Sequence, residues 1–225
     1  MKRTLLCALC SVLLLAAAGP ASAEILLFDL SGQIGETDPI PDSYGDITVG
    51  SDTLLDVTYR EVVAFGDSAD ADDLRYQTSN YGDLVDVAYG GTNPSIADSV
   101  GEIRFAAAPG RDAQLFSFDL AGFDGEDQYY IDVQVYDEAW NLLVSWDDLT
   151  IPGDTSIPDP CFLTLTLDPP AASSAVILQW QSPWYVGIDN VHYDVTVPEP
   201  ATMVGWVIGL GCLGYVACRR RGRKG

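Results

Sequence analysis

The chain has 225 residues, of which 33 are acidic and 11 are Lys or Arg, so its formal net charge is −22. Seven of the bases lie at the two ends, and the stretch from Glu24 to Pro198 holds 32 acidic against four basic residues, a net charge of −28. A surface this acidic repels phosphate backbones, which argues against nucleic-acid binding. The 48% hydrophobic content also argues against a disordered acidic tail and indicates one folded domain.

Residues 1–23 have the pattern of a secretory signal peptide. A Lys-Arg pair precedes an apolar run from Leu5 to Ala18, and Ala21-Ser22-Ala23 supplies the small residues of a cleavage site. We therefore predict a signal helix that signal peptidase removes, so that the mature chain begins at Glu24.

The body, residues 24–196, shows the two-residue hydrophobic alternation of half-buried antiparallel strands. Ile131, Val133 and Val135 alternate with polar or aromatic neighbours, and the same period recurs at 116–120, 163–168 and 176–181. Further strands are predicted at 24–30, 54–65, 84–89, 101–107, 142–151 and 185–196. About ten short strands in one exported domain predict an all-β fold, an antiparallel β-sandwich that is jelly-roll-like, flanked by the N-terminal signal helix and a C-terminal transmembrane helix.

Other parts of the body carry local expectations. Residues 33–53 and 67–83 are rich in Gly, Asp, Pro and Ser, which predicts long loops at the ends of the sandwich. The segment from Asp137 to Asn141 is predicted to be the turn of a hairpin. Cys161 is the only cysteine of the body, so we expect no internal disulfide and a buried thiol.

Near the end of the body, Trp184 to Tyr193 resembles the closing strand of bacterial and extracellular jelly-roll domains, which often reads Gly-Ile-Asp-Asn-Ile-x-Phe. The resemblance supports the fold and implies no ligand. The hydrophobic positions of this strand change phase, because Val186 and Ile188 have one parity and Val191 and Tyr193 have the other. The shift predicts either two covered faces or a β-bulge at Asp189-Asn190.

Signals for catalysis are weak, and no catalytic residues are predicted. His192 is the one histidine and lies in an alternating strand, no Gly-x-Ser-x-Gly elbow is present, and the body has too few His and Cys residues for a typical zinc site. With 32 acids in the body, some carboxylate pairs must lie at glycosidase spacing, which removes the specificity of that signal.

Calcium is a more plausible ligand of the body. Asp67, Asp70, Asp72 and Asp73 cluster in one predicted loop, and Asp124, Glu126 and Asp127 cluster in another. Carboxylate oxygens from loops suit Ca²⁺, although neither cluster has EF-hand spacing. The first cluster is the candidate calcium site, and a solvated acidic surface is the alternative for both.

Four tryptophans of the body divide into two pairs. Trp146 and Trp180 lie on apolar strand faces and are predicted to be core residues. Trp140, in the predicted turn, and Trp184, after Pro183, are the candidate glycan-binding residues.

The C-terminal segment, residues 197–225, has three parts. Pro198-Glu199-Pro200 is followed by the uncharged run 201–218 and then by a cluster of Arg and Lys. As a helix the run would be about 27 Å long, close to the roughly 30 Å hydrocarbon core of a bilayer. Because positive residues stay on the cytoplasmic side, we predict a transmembrane helix with a cytoplasmic C-terminus and the body outside.

This ending resembles the PEP-CTERM sorting signal of Gram-negative, exopolysaccharide-producing bacteria. The resemblance implies that exosortase, a membrane-embedded cysteine peptidase, recognises Pro198, Glu199 and Pro200, removes the helix and passes the protein from an inner-membrane intermediate to the cell surface. A plain single-pass anchor is the alternative.

Together these features predict an exported, non-enzymatic surface or matrix protein that associates with extracellular polysaccharide. Its partners would be signal peptidase, exosortase and polysaccharide, with membrane contact through the tail before processing. A secreted polysaccharide hydrolase and an ice-binding protein are the alternatives.

Overall fold

The structure is a computed structural model, and it describes residues 24–30, 32–67, 70–90, 99–154 and 160–196. Thirteen strands form in this part: β1 (Glu24–Leu26), β2 (Ile47–Val49), β3 (Asp52–Val62), β4 (Asp70–Asp72), β5 (Arg75–Gln77), β6 (Val87–Tyr89), β7 (Val100–Ala107), β8 (Asp112–Gly122), β9 (Gln128–Asp137), β10 (Leu142–Ile151), β11 (Leu163–Ser173), β12 (Ala175–Gln181) and β13 (Val186–Thr196).

The strands make two antiparallel sheets. The six-stranded sheet has the order β11-β8-β13-β6-β5, with β1 pairing β13, and the seven-stranded sheet has the order β10-β9-β12-β7-β3-β2, with β4 pairing β3. The described ranges contain no helix. The prediction of an all-β, antiparallel body is therefore confirmed, whereas the predicted terminal helices lie outside the described residues.

The hydrophobic core lies between the two sheets, where the alternating residues of both inner faces meet. Val135 and Leu178 come from the seven-stranded sheet, Phe118 and Ile188 come from the six-stranded sheet, and all four are fully buried. Trp180 is also fully buried, while Trp146 is partly buried and packs edge-on against Phe118. Burial of this apolar surface is the main source of stability. Of the two tryptophans predicted to be core residues, Trp180 lies in the core and Trp146 packs against it.

The phase change in the last strand is produced by a β-bulge. The pairing of β13 with β8 shifts register between Asp189 and His192, and Asn190 has a positive φ of 49°. Ile188 before the bulge and Val191 after it are both fully buried in the same core. One extra residue thus brings two hydrophobic sets of opposite parity onto one face, and the bulge alternative is the one observed.

Two other local predictions can be compared with the structure. The hairpin turn from Asp137 to Asn141 is confirmed by the β9–β10 connection, in which the Asp137 amide donates to the Asn141 carbonyl at 3.0 Å. The segments predicted as long loops contain three short strands, β2, β4 and β5. Three-residue strands give too little alternation to stand out in a Gly- and Asp-rich sequence, and they form because a neighbouring strand offers them a sheet edge.

The first and last strands of the described body have their terminal residues at the same end of the sandwich. Glu24 pairs with Tyr193, and Thr196 pairs with Asp112, so both chain termini leave from one end, which we call the tail end. The opposite end, called the distal end, contains the start of β7 and the connection between β12 and β13.

Candidate ligand-binding surfaces

Trp140 lies at the tail end, in the β9–β10 turn. The turn is held by Asp137, whose Oδ1 accepts hydrogen bonds from the amides of Ala139 and Asn141 at 2.9 Å, while its Oδ2 accepts one from Asn141 Nδ2 at 2.8 Å. The hydrogen bonds from Asn141 lower the pKa of the Asp137 carboxyl. Trp140 has a φ of 63° and packs edge-on against Tyr136 at 5.6 Å, so its half-buried indole is held in place on a rigid turn.

Trp184 lies at the distal end and belongs to a second apolar cluster on the outer face of the six-stranded sheet. Its ring packs edge-on against Tyr89 at 5.9 Å, and its carbonyl accepts a hydrogen bond from the Tyr81 hydroxyl at 2.8 Å. Tyr81 is fully buried, and Trp184 is half-buried. These contacts give Trp184 a structural role as a cover for Tyr81 and Tyr89.

The two candidate glycan-binding residues do not form one platform. Asp137, at the end of β9, pairs with Val176 at the start of β12, whereas Trp184 follows the end of β12. β12 has seven residues, so about 20 Å of strand separates the two positions. Any ligand that Trp140 contacts at the tail end is therefore out of reach of Trp184 unless it is an extended polymer.

Two surface grooves of the described residues lie away from Trp140 and Trp184. One of about 470 Å³ is lined by Glu24, Asp29, Asp46, Tyr44 and Tyr193 among others, and one of about 230 Å³ is lined by Phe65, Asp132 and Gln181 among others. Neither of these two grooves is lined by Trp140 or Trp184. Neither groove was predicted from the sequence, because each is assembled from segments that are distant along the chain.

A buried polar network crosses the outer face of the seven-stranded sheet. Arg60, Glu102 and Gln179 occupy one register row on β3, β7 and β12. Arg60 Nε lies 2.5 Å from Glu102 Oε1, and Gln179 Nε2 donates to Glu102 Oε2 at 2.6 Å. The Gly66 amide donates to Gln179 Oε1 at 2.8 Å, so the network also fixes the loop that follows β3. Glu102 and Gln179 are fully buried, which makes this a structural network.

The predicted calcium loop is partly ordered by contacts within the protein. Asp70–Asp72 form β4 and pair with the end of β3, Asp72 Oδ1 accepts the Asp73 amide at 2.9 Å, and the Asp72 carboxylate lies 3.7 Å from Arg75. The Asp67 carbonyl accepts a hydrogen bond from Gln179 Nε2 at 3.3 Å. Within the described ranges, no three His, Cys, Asp or Glu side chains are grouped so that they could hold a metal ion. Residues 68 and 69 lie outside those ranges, and calcium binding by this loop stays a prediction.

A cluster of acids around Asp189 was not singled out by the sequence. Asp189 is only 5% exposed, and its Oδ1 has no hydrogen-bond partner among the described residues. Burial is the main cause that raises the pKa of Asp189 to about 8, and the nearby carboxylates of Asp119 and Asp86 contribute to the same rise. The phase change at this point of the sequence indicated the bulge but not the acids that gather around it.

The membrane-directed segments predicted from the sequence fall outside the described residues. Within the ranges that the structure describes, no helix is long and apolar enough to span a bilayer. The predicted signal peptide, residues 1–23, and the predicted transmembrane run, 201–218, both lie outside the described residues.

Comparisons with solved structures give distant likenesses. An arabinose-bound α-L-arabinofuranosidase is 10% identical with a TM-score of 0.42, over 80% of this chain and 27% of that one. Discoidin II from Dictyostelium discoideum is 7% identical with a TM-score of 0.31, over 61% of this chain and 54% of that one. A family 35 carbohydrate-binding module from Clostridium thermocellum is 14% identical with a TM-score of 0.28, over 63% and 89%. At these TM-scores the likenesses carry no argument about activity or ligand.

No curated protein sequence matches this chain. The C-terminal segment does match a family, the PEP-CTERM protein-sorting motif, over residues 196–221. The match begins at Thr196, the last residue of β13, so the motif follows the folded body directly. The motif implies export, a membrane-anchored intermediate and processing by exosortase. The chain is therefore a β-sandwich body that carries a PEP-CTERM sorting motif at its C-terminal end.

Proposed function

We propose that this chain is an exported, non-enzymatic protein that exosortase sorts to the cell surface or extracellular matrix, where its jelly-roll-like body associates with extracellular polysaccharide. The observation that carries the proposal is the sorting motif at residues 196–221. In the membrane-anchored intermediate the C-terminus is cytoplasmic, because the basic cluster that ends the chain follows the positive-inside rule.

The composition of the body supports an extracellular location. A net charge of −28 between Glu24 and Pro198 keeps a secreted domain soluble and repels anionic polymers. It follows that a polysaccharide partner should be uncharged, or should bind through cations that bridge the two acidic surfaces.

The aromatic pair at the tail end supports contact with sugar. An indole that is held edge-on against Tyr136, on a turn fixed by three hydrogen bonds to Asp137, loses little conformational entropy when a ligand stacks on it. Trp184 is a weaker candidate because its ring and carbonyl already serve the packing of Tyr89 and Tyr81.

The sorting step makes the first prediction. In an exosortase-positive host, mass spectrometry of surface material should detect a chain that lacks residues 201–225, and replacement of Pro198, Glu199 and Pro200 by alanine should leave the full tail on the protein. The matched control replaces three residues of an exposed turn in the body by alanine and should not affect processing. A wild-type surface protein that retains Arg219 to Lys224 would contradict sorting and indicate a plain membrane anchor.

The second prediction concerns glycan binding by the mature exported protein. Trp140→Ala should weaken binding to uncharged polysaccharide roughly tenfold, the equivalent of about 1.4 kcal/mol, because the stacking surface is lost. Binding can be measured by affinity electrophoresis or on a glycan array. Leu143→Ala, which alters an exposed apolar residue near the same turn, is the control and should bind as wild type does.

The same assay separates the proposal from its enzymatic alternative. Purified mature protein incubated with a panel of polysaccharides should release no reducing sugar above the background of the Trp140→Ala variant. Sustained release that scales with protein concentration would overturn the non-enzymatic assignment and favour a hydrolase.

A further inference from the structure

The bulge in β13 leaves a gap at one side of the strand. β6 pairs with β13 at Ile188, and β1 pairs with it from Val191 onward, so neither strand pairs with Asp189 or Asn190. On the other side of β13, Asp189 pairs with Asp119 of β8. Asp189 therefore lies where the neighbour of β13 on this side changes from β6 to β1.

Asp189 carries a buried oxygen that the protein does not satisfy. The residue is 5% exposed, and Oδ1 lacks a hydrogen-bond partner in the described part of the chain. A buried carboxylate without partners costs several kcal/mol, so such a group in a folded protein requires a compensating ligand or a proton. Among the described residues, the only other buried side-chain nitrogen or oxygen without a hydrogen-bond partner is Arg75 Nε, so Asp189 Oδ1 is the one unsatisfied acceptor.

The acids next to Asp189 are held by neutral donors only. Asp119 is 8% exposed, and it accepts hydrogen bonds from Thr164 Oγ1 at 2.6 Å and from Asn190 Nδ2 at 2.8 Å. Asp86 accepts one from the Tyr76 hydroxyl at 2.5 Å. These donors fix the orientation of the two carboxylates, which is how a cation site keeps its ligands in position.

The chain supplies no described cation to balance these charges. The ion pairs of the described residues join Arg60 to Glu102 and Arg75 to Asp72, and Arg104 acts on Asp56. The body also has no Lys. The charge of Asp189 is therefore balanced either by a proton or by a cation from solution.

We propose that the carboxylates of Asp189 and Asp119 bind one calcium ion at the β13 bulge. Calcium accepts carboxylate, amide, backbone carbonyl and water oxygens in a flexible arrangement of six to eight ligands, so two carboxylates suffice when neutral oxygens complete the shell. Magnesium fits less well, because it requires near-ideal octahedral geometry.

The proposed site differs from the acidic loop predicted from the sequence. It joins β8 to β13 across the six-stranded sheet and lies beside the ends of β1 and β6, whereas the loop of Asp67, Asp70, Asp72 and Asp73 follows β3 of the other sheet. Calcium at the bulge would hold β8 and the last strand together.

The experiment measures calcium binding to the mature exported protein after treatment with EDTA and dialysis. Isothermal titration calorimetry should give one calcium per chain. Calcium at about one hundred times its Kd should raise the melting temperature by about 5–10 °C, and more than magnesium does at equal ionic strength. Asp189→Asn, which preserves the shape of the side chain, should abolish both effects, and Asp119→Asn should weaken calcium binding at least tenfold.

Two controls decide between the sites. Asp124→Asn removes one exposed charge, and the double variant Asp70→Asn/Asp72→Asn alters the loop; both should retain the calcium response of the wild type. Equal effects of calcium and magnesium would overturn the proposal and leave general screening of an acidic surface. A response that persists in Asp189→Asn but disappears in the loop variant would move the site to the loop. No heat of binding to wild type would mean that Asp189 carries a proton instead.

Discussion

Glu102→Ala should lower the free energy of unfolding of the body by about 3 kcal/mol. Removing one partner of a buried ion pair costs about 3–5 kcal/mol, and the lower end applies here because the Arg60 side chain is 26% exposed and can reach water. The change also removes the acceptor of the buried Gln179 amide. For a body of this size the melting temperature should fall by about 6–12 °C, which differential scanning calorimetry measures directly.

Two related variants identify the cause of that loss. Glu102→Gln keeps the size and an acceptor for Gln179, so it should cost less than half as much as Glu102→Ala. Arg60→Met, which retains the aliphatic contact, leaves Glu102 charged and buried, and it should cost at least as much as Glu102→Ala. If Glu102→Ala changes stability by less than about 1 kcal/mol, the network contributes little, as many surface ion pairs do.

Gly101→Ala should destabilise the body by about 3 kcal/mol, the upper part of the usual range for overpacking. A Cβ added at Gly101 would lie 2.5–2.8 Å from three atoms of the Trp180 ring. The ring cannot move aside, because it is fully buried and its Nε1 donates to the Val186 carbonyl at 2.9 Å. Chemical denaturation, with an unchanged m-value, is the appropriate measurement.

Gly35→Ala is the matched control for this prediction. Its added Cβ meets only the flexible carboxylate of Asp38 at 3.0 Å, so the free energy of unfolding should change by less than about 0.5 kcal/mol. The smaller ring of Trp180→Phe should make Gly101→Ala less costly in the double variant than in the single one. An additive double variant would show that the Gly101–Trp180 contact is not the origin of the loss.

Sequence periodicity predicted much of the architecture because alternation is a local property. In β9, β11 and β12 every second side chain is apolar, and those side chains line the core. The hairpin turn was predictable because its hydrogen bonds lie within five residues. The Asp137 carboxylate accepts hydrogen bonds from Asn141 and from the Ala139 amide between them. The short strands β2, β4 and β5 were missed because three residues carry no period, and a neighbouring strand decides whether they pair.

The candidate sites were less predictable, since they depend on which strands become neighbours. The sequence named Trp140 and Trp184 as candidate glycan-binding residues, and only the position of β12 between them places one at each end of the sandwich. The predicted calcium loop was chosen because its acids are close in sequence. The acids that surround an unsatisfied oxygen, Asp86, Asp119 and Asp189, are distant in sequence and were not grouped.

The sequence by itself determined the C-terminal PEP-CTERM sorting motif, which implies export, and the antiparallel strands of the body. Each of these properties is encoded in a continuous segment, through local hydrophobicity, charge and period. Tertiary structure alone decided the buried contacts between residues far apart in the chain, such as Arg60 with Glu102, 42 residues away, and Asn190 with Asp119, 71 residues away. The physical reason is that strand order and register set these contacts, and they follow from the packing of all strands at once rather than from any single segment.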